Sequence, residues 1–434
     1  MRILVISYYF APQNLIGAVR ATKLAKYLSR MGHEVTVICG AGRNGEIDPT
    51  LARDLQEMKD VHCISEWNPL RSWYLRKEQT PAAAAPAAAA PAQQSAVRRT
   101  VRAVRNLVYI SLRWLADRSF SRMGRRELKK LSGTYDAVYS SYAPFSVHEI
   151  ARKAKKSGLA GRWVADFRDE VGMPFKWQDG RKRRYLAMLR RDADVLCAVS
   201  RGFLEMMGYD DVGRVLSNGF DREDLPAVER RPADGCLRVV YCGQFNMGRK
   251  GIGDRDLTPM FAALKKLVDE GAIEKERIRL VYAGREGALM RRFAASCGLE
   301  ECVEDYGQVS REKSIELQRS ADILLMASWH MASQKGILTG KLFEYMMMDK
   351  PIVCCMEGDL PNSGVKQVLE ETGMGFCWER VGGPAEDEQL LAYVRSLVQR
   401  HSSGGSLLDG KNDEAVERYA YPGLARQLEG WFNA

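Results

Sequence analysis

Short, continuously apolar segments alternate with amphipathic helical segments along most of this chain of 434 residues. The first apolar segment is Arg2–Tyr9, and the helical pattern that follows it stops at Gly32. The next apolar segment, His33–Cys39, begins directly afterwards. A strand that is apolar without interruption is typical of a parallel sheet covered by helices on both faces. This strand–helix–strand opening therefore predicts a doubly wound α/β fold.

The alternation occurs in two sets. In the first, further strand patterns lie at Tyr135–Ser140 and Val195–Val199. A polar stretch from Asp221 to Gly235 follows, and a second set then runs from Leu237–Tyr241 to Pro351–Met356. A chain of this length is enough for about two domains, each with its own core.

We therefore predict a first Rossmann-like domain at residues 1–225, a second at 226–415, and a final helical segment at 416–434. In Pro81–Pro91 every fifth residue is proline, which is incompatible with a long helix. Residues 80–96 are therefore predicted to be a flexible insert within the first domain.

Composition narrows the classes of function. The chain has ten cysteines and no C-x-x-C pair, and several of them lie inside apolar strand patterns. This usage is typical of buried thiols in a reducing compartment and argues against a disulfide framework or a zinc site. The sequence shows no signal peptide and no apolar run of the ~20 residues that a membrane crossing needs. We expect a cytoplasmic protein.

The net charge is +10, and much of it lies between Arg98 and Lys130, where eleven basic residues accompany only two acidic ones. Val108, Leu112 and Leu115 repeat there at helical spacing, with arginines toward another face. Such a helix either binds an anionic membrane surface or packs its apolar stripe on its own domain, and the pattern leaves both open. No recognition-helix or aromatic RNA-binding pattern is present, so we do not expect nucleic acid as the partner.

The segment from Gly336 to Pro351 follows a buried-strand pattern and opens a predicted helix. Unpaired N–H groups at a helix start favour phosphate, and Gly336 and Gly340 allow close approach of a ligand to the backbone. Thr339 is the expected N-cap. Lys341 and Glu344 lie on the first turns, where they would face a diphosphate and sugar hydroxyls. A surface helix with a capping threonine is the simpler alternative.

These residues also carry a resemblance to a known family. T-G-K-L-F-E-Y followed by D-K-P-I-V resembles the donor-binding segment of the family 4 retaining glycosyltransferases, in particular the bacterial exopolysaccharide, capsule and O-antigen subgroup. The resemblance implies the GT-B fold, with two Rossmann-like domains facing a central cleft and a C-terminal helix that crosses back to the first domain. It implies that Glu344 contacts the donor ribose. A second family glutamate corresponds to Gly336 here, which is a departure from the pattern.

Other segments match the family in the same order along the chain. Y-C-G-Q-F followed by R-K-G resembles the phosphate-contacting loop, and Y-G-Q-V resembles the loop beside the nucleobase. The first loop, S-Y-Y-F-A-P-Q-N-L-I-G-A-V-R, matches at a glycine and an arginine. The donor-binding residues that the resemblance implies are Gly17, Gly243, Arg249, Lys250, Val309, Gly336, Thr339, Gly340, Lys341 and Glu344.

W-V-A-D-F-R-D-E-V resembles the polar strand end of the same subgroup. It places Asp166, Arg168 and Asp169 at the carboxyl edge of a strand, where open α/β sheets bind ligands. From the residues alone, a buried ion pair and a catalytic group are equally open for this motif. We predict Arg20, Asp166, Arg168 and His148 as acceptor-binding residues, although His148 also fits a capping role.

The resulting prediction is a retaining glycosyltransferase that moves a sugar from a nucleotide diphosphate donor to a polyprenyl-diphosphate-linked bacterial surface glycan. The predicted catalytic residues are Asp169, Lys250 and Glu344, with no metal and no cofactor, because we attribute the D-x-D triplet Asp254-Arg255-Asp256 to chance. We expect a peripheral position on the inner face of the plasma membrane; the oligomeric state stays open. The alternatives are an inactive subunit of a polysaccharide assembly complex and a nicotinamide enzyme, although no G-x-G-x-x-G follows the first strand.

Overall fold

The computed structural model describes residues 1–41, 47–65, 67, 96–169, 171, 179–225, 234–245 and 255–434. They form two compact units. The first unit contains Met1–Val199, Met207–Leu216 and Ala425–Ala434, and the second contains Ser200–Met206 and Ser217–Leu424. All of the predicted flexible insert except residue 96 lies outside the described residues.

The first unit is built on a parallel sheet that has seven strands among the described residues. They are β1 (Arg2–Ser7), β2 (Glu34–Gly40), β3 (Asp60–Ile64), β4 (Tyr135–Tyr142), β5 (Ala160–Phe167), β6 (Val195–Ala198) and β7 (Arg214–Val215). Their order is β3-β2-β1-β4-β5-β6-β7, so the direction in which strands are added reverses between β1 and β4. Ligands of doubly wound sheets bind at such a switch point, beyond the carboxyl ends of the strands.

Helices of this unit alternate with its strands. They are α1 (Ile16–Arg30), α2 (Pro49–Asp54), α3 (Ala96–Glu127), α4 (Ser146–Lys156) and α5 (Asp179–Asp192). In α4, Val147, Ile150, Ala151 and Ala154 are buried, because they recur at helical spacing on the face toward the sheet. Among the described helices, none combines the length and the apolar character that a membrane crossing requires.

The second unit repeats the same strand order. Its described strands are β8 (Leu237–Cys242), β9 (Ile278–Ala283), β10 (Val303–Asp305), β11 (Ile323–His330), β12 (Ile352–Gly358) and β13 (Gly375–Glu379). They form a parallel sheet in the order β10-β9-β8-β11-β12-β13, with its switch point between β8 and β11. Its helices are α6 (Arg201–Met207, whose last residue belongs to the first unit), α7 (Thr258–Asp269), α8 (Gly287–Ser296), α9 (Arg311–Arg319), α10 (Gly340–Met346), α11 (Gly364–Thr372), α12 (Pro384–Ser402) and α13 (Asp413–Arg418).

The packing of strand β8 explains why the second unit has three layers, a sheet between two layers of helices. Its alternate residues Val239 and Tyr241 pack with side chains of α7, α8 and α12, whereas Val240 and Cys242 pack with α9, α10 and α11. All six residues of the strand are buried. Apart from Arg238, which forms ion pairs with Asp234 and Glu304, the strand has the apolar pattern that a parallel sheet with helices on both faces requires. The predicted α/β class with two Rossmann-like units is confirmed.

The last helix, α14 (Tyr421–Asn433), ends in the first unit. There the Gln427 side-chain amide donates to the Val215 carbonyl at 2.9 Å. Glu429 lies 2.8 Å from the His33 ring, and the Arg214 guanidinium lies 5.6 Å from the Trp431 ring centre. The prediction that the C-terminal helix returns to the first domain is confirmed.

Candidate functional site

In the second unit, a glycine and a lysine meet at the carboxyl end of β8. Gly243 is the first residue after that strand and has a φ of +148°, which only glycine adopts readily. A Cβ atom placed on Gly243 would collide with the Lys341 Nζ atom. The missing side chain therefore lets the ammonium of α10 lie directly against the backbone at the switch point.

Lys341 is held over an aromatic ring. Its Nζ atom lies 4.3 Å from the centre of the Tyr241 ring, at a distance that gives a cation–π attraction. Burial, together with the nearby charge of Arg255, lowers the pKa of the Lys341 ammonium to about 8. The charge of Glu344 opposes this shift, but in the described part of the chain Lys341 forms no salt bridge with a carboxylate, so an anion bound beside it would raise its pKa again.

Arg255 is the second cation here. Its Nη1 atom donates to the Gln244 carbonyl at 2.5 Å, and its guanidinium lies 5.3 Å from the Trp329 ring centre. Its Nε–H is buried without a hydrogen-bond partner. Arg255 was not predicted from the sequence, because it lies between the two aspartates of a D-x-D triplet that we attributed to chance. Its position a few residues after the phosphate-contacting motif was the available signal.

The predicted cations Arg249 and Lys250 lie outside the described residues. The positive charge that the structure does describe at the end of β8 comes from Lys341 and Arg255.

Glu344 is oriented by the helix beside it. The Gln318 side-chain amide, which is 1% exposed, donates to Glu344 Oε1 at 2.7 Å and to Ser314 Oγ at 3.0 Å. This fixes one carboxylate oxygen and leaves the other for a ligand. The backbone N–H of Cys242 donates to the buried Tyr345 hydroxyl at 3.2 Å, which ties α10 to the end of β8.

Thr339 occupies the N-cap position of α10, as predicted, but its side chain makes no capping hydrogen bond. The helix that follows, which begins at Gly340, has seven residues. A helix this short contributes little dipole, so the side-chain cations are the stronger source of positive potential at this place.

Gly336 departs from the resembled pattern for a structural reason. Its φ is +72°, and an added Cβ would collide with Ser200 Oγ and approach Gly202 Cα to 2.8 Å. Ser200 Oγ also donates to the Gly336 carbonyl at 2.7 Å. A glutamate would not fit here, so Gly336 can contact a donor only through its backbone.

The predicted base-side loop follows β10. Val309 is partly buried against the core of the second unit, while Tyr306 before it is 43% exposed. The Arg285 Nε atom donates to the Gln308 side-chain oxygen at 2.9 Å. The exposed Tyr306 ring offers a surface on which a nucleobase can stack.

In the first unit, Arg20 and Asp166 form a buried ion pair. Arg20 donates to both oxygens of Asp166, at 2.9 and 2.8 Å, and Tyr139 and Ser141 donate to the same carboxylate at 2.6 and 3.1 Å. Burial would raise the pKa of Asp166, but the charge and hydrogen bonds of Arg20 outweigh it and hold that pKa below its usual value. Both side chains are at most 3% exposed. Because Asp166 lies within β5, this ion pair holds the end of the strand in place. A contact between either side chain and an acceptor stays a prediction.

Arg168 and Asp169 lie beyond the end of β5. The Arg168 Nε atom donates to the Tyr142 carbonyl at 2.9 Å, and its Nη2 atom lies 3.3 Å from the Asp169 carboxylate, whose side chain is 61% exposed. A Cβ on Gly17 would collide with the Arg168 guanidinium. The structure therefore brings Gly17, Arg168 and Asp169 together at the switch point of this sheet.

His148 lies in the core and is fully buried among the rings of Tyr142, Trp163, Phe167 and Tyr185. Its Nδ1 atom is 2.8 Å from Ser140 Oγ, and its Nε2 atom has no partner. Burial lowers the pKa of His148 to about 3. In this position the ring is neutral and cannot contact an acceptor, which does not agree with its predicted role. The residue lies on the core face of α4, and that choice of face was not visible in the motif.

Residues 237–391 match the family model described as Glycosyl transferases group 1. The match begins at β8 and includes Gly243, Arg255, Gln318, Lys341 and Glu344. No curated protein sequence matches this chain.

Solved structures of similar fold extend over the whole chain. One is the N-terminal domain of trehalose-6-phosphate phosphatase from Candida albicans, with a TM-score of 0.57 and 13% identity over 100% of this chain and 96% of that one. Another is sucrose-phosphate synthase from Thermosynechococcus elongatus, with a TM-score of 0.54 and 15% identity over 100% and 98% of the two chains. At these identities the likeness defines the fold, and the predicted GT-B fold is confirmed. The family match within it supports a glycosyltransferase.

The burial of His148 predicts a specific pH dependence of stability. Its pKa falls from 6.5 to about 3 on folding, so below pH 6.5 the unfolded chain takes up a proton that the folded chain does not. The contribution of His148 to stability is therefore complete above pH 6.5 and is lost as the pH falls toward 3, by up to about 1.4 kcal/mol per pH unit. Replacement His148→Phe should remove this part of the slope.

The measurement is thermal unfolding of both proteins between pH 4 and pH 8. At the upper end the two curves should run parallel, because the ring is neutral in both states there. Identical slopes below pH 6 would show that the ring is not buried as described.

Proposed function

We propose that this protein is a retaining glycosyltransferase that transfers a sugar from a nucleotide diphosphate donor to a polyprenyl-diphosphate-linked bacterial glycan. One observation carries the proposal: Lys341 and Arg255 lie near each other at the end of β8. Among the described residues, no carboxylate lies within salt-bridge distance of either cation. The charge of Glu344 offsets only part of this positive charge, so two cations at a switch point favour an anion with two charges.

The diphosphate would lie against Gly243, with Lys341 and Arg255 beside it. When the sugar departs, negative charge builds on the leaving diphosphate oxygen, and fixed cations stabilise that charge without reorganisation. We expect Arg249 and Lys250, which lie outside the described residues, to add positive charge, as the family resemblance implies. This distribution of charge requires no metal ion.

Glu344 would bind the donor ribose. Gln318 holds one oxygen of its carboxylate, so the other can accept hydrogen bonds from sugar hydroxyls. Arg168 and Asp169 of the first unit would serve the acceptor, with Asp169 as the exposed carboxylate near its hydroxyl. Retention of configuration follows the resemblance, and NMR of the anomeric proton in the first-formed product tests it.

Helix α3 supports an anionic membrane surface as a partner. Val108 and Leu115 of the apolar stripe are 51% and 40% exposed, and the neighbouring Trp114 is 37% exposed, so these described side chains do not pack fully on the first unit. Arg118 and Arg181 lie 4.6 and 5.5 Å from the Trp114 ring centre, which joins the basic face of α3 to that of α5. Exposed apolar groups among cations are typical of interfacial helices.

The rival function is an inactive subunit with the same fold. The observation that favours it is Gly336, because the structure leaves no room there for the glutamate of the resembled family. Donor binding and turnover separate the two functions.

Replacement Glu344→Ala should weaken donor binding at least tenfold, because hydrogen bonds to a charged group contribute roughly 1.5–3 kcal/mol each. Glu344→Gln retains one acceptor oxygen and should lose less. Isothermal titration with nucleotide sugars measures both. Parental affinity of a normally folded Glu344→Ala protein would reject the ribose contact.

Gln318→Leu provides the matched test of positioning. It removes the amide that orients Glu344, and it also removes a buried side-chain oxygen without a partner, so stability should change little. Donor affinity should fall by less than in Glu344→Ala. The melting temperature distinguishes this result from misfolding.

Donor affinity should fall as the pH rises above about 8. The unliganded Lys341 ammonium has a pKa of about 8, and a bound diphosphate would raise it, so binding above that pH requires uptake of a proton. The decrease is limited to tenfold per pH unit. Lys341→Met should bind more weakly and without this pH dependence, and a flat profile in the parent protein would remove Lys341 from the site.

The same assay tests the role of metal. If Lys341 and Arg255 compensate the diphosphate, turnover should persist in excess chelator. Activity that chelator abolishes and Mn²⁺ or Mg²⁺ restores would contradict this part of the proposal.

The protein should bind anionic vesicles and dissociate as salt rises, because each basic residue near the surface contributes about 1 kcal/mol and the attraction is screened. Arg118→Glu with Arg122→Glu should abolish binding in a flotation assay. The matched control, Arg291→Glu with Arg292→Glu, changes the net charge equally on α8 and should bind as before. Equal binding to neutral and anionic vesicles would contradict an electrostatic attraction to the membrane surface.

The lipid-linked acceptor is tested separately, by extraction of the labelled product into organic solvent.

A further inference from the structure

Two cysteines of the first unit lie side by side on neighbouring strands. Cys39 of β2 and Cys63 of β3 are paired in the parallel register, so their side chains point to the same face of the sheet. Their sulfur atoms are 3.2 Å apart, and both are free thiols. Neither residue belongs to the donor site described above.

The two thiols differ in accessibility. β3 is the outermost of the described strands of the sheet, and Cys63 on it is exposed, whereas Cys39 is fully buried. A reagent in solution therefore reaches Cys63 first.

A second pair provides an internal comparison. Cys354 of β12 and Cys377 of β13 are also partners in a parallel register. They are 0% and 3% exposed, and burial is the first cause that raises the pKa of Cys354 well above its usual value. The register is the same in the two pairs, and β13 is the last described strand of its sheet, as β3 is. The two pairs differ in accessibility, because Cys377 is buried whereas Cys63 is exposed.

Electrostatics favours the same division of roles in the first pair. The hydrogen bond from Cys39 and, to a smaller extent, the charge of His62 lower the pKa of Cys63 to about 7 against the opposing effect of burial. The pKa of Cys39 is raised by the same hydrogen bond and by its burial. The thiolate is the nucleophilic form of cysteine, so Cys63 is the reactive member. Glu127 lies 3.0 Å from the His62 ring.

We propose that Cys39 and Cys63 form a peroxide-reactive dithiol that closes reversibly to a disulfide. The Cys63 thiolate attacks a peroxide oxygen, the O–O bond breaks, and Cys63 becomes a sulfenic acid while the leaving oxygen takes up a proton to form water. The Cys39 sulfur then attacks the Cys63 sulfur, and the sulfenic hydroxyl leaves with the Cys39 proton as a second water. Two thiols are oxidised by two electrons and one peroxide is reduced.

The backbone permits this closure. Neighbouring strands of a sheet are about 4.8 Å apart, and disulfides connect Cα atoms separated by about 4.4–6.8 Å. The bond would cross-link β3 to β2 next to Gly40, whose carbonyl accepts the Gln13 side-chain amide at 2.9 Å. Gln13 lies in the loop before α1, so the dithiol is placed beside the loop that leads to Gly17.

The experiment treats the reduced full chain with one equivalent of hydrogen peroxide, blocks the remaining thiols by alkylation and maps peptides by mass spectrometry. We expect a cross-linked peptide pair containing Cys39 and Cys63, which dithiothreitol separates again. Cys354 and Cys377 should remain alkylatable thiols. First oxidation at the partly exposed Cys236 or Cys297, or oxidation of Cys63 without a link to Cys39, would overturn the proposal.

Two variants separate the roles. Cys63→Ser should consume peroxide roughly tenfold more slowly, because the accessible thiolate is gone. Cys39→Ser should still react, and its sulfenic acid at Cys63 should persist and be trapped by dimedone. A disulfide from Cys63 to another cysteine in Cys39→Ser, formed as fast as in the parent, would remove Cys39 as the partner. Circular dichroism establishes that each variant is folded.

Discussion

A parallel strand covered by helices on both faces has room for almost nothing but apolar side chains. In the second unit β8 is buried at every position, and its two sets of alternate residues enter two separate cores. Apart from Arg238, the second residue of the strand, which is ion-paired, the charged groups therefore lie beyond its carboxyl end. Gly243 is the first of these, and the absence of its side chain gives Lys341 its place. Most of what we propose about the donor follows from this one constraint.

The two sheets share a strand order but compensate charge in opposite ways. In the first unit, Arg20 meets Asp166 within the structure, and two hydroxyl groups complete the carboxylate's hydrogen bonds. In the second unit, Lys341 lies over an aromatic ring and near a second cation. The first arrangement stabilises a strand end, because its charges are already paired. In the second arrangement the cations form no salt bridge among the described residues, so their positive potential is available to a ligand.

The residues of the candidate donor site were predicted from motifs, because local segments carry them, and their contact with a donor stays a prediction. The prediction for Glu344 rested on its spacing from Gly340, and the structure adds the buried Gln318 that orients it. Gln318 belongs to a different helix, so nothing near Glu344 in the sequence indicated it. The same holds for Ser200, which lies against Gly336 although 136 residues separate them. Long-range contacts of this kind arise only when the strand order brings distant loops together.

His148 and Cys39 show which features could not be predicted from the sequence. The sequence by itself determined the alternation of strands and helices, because continuous apolar runs allow only a sheet covered on both faces. It also determined which residues follow the strand ends. Only the tertiary structure decided that His148 faces an aromatic core, that Arg255 donates to the Gln244 carbonyl after β8, and that Cys39 and Cys63 are neighbours on adjacent strands. These outcomes depend on which strands pair and which helix face turns inward, and burial free energy summed over the whole unit selects both.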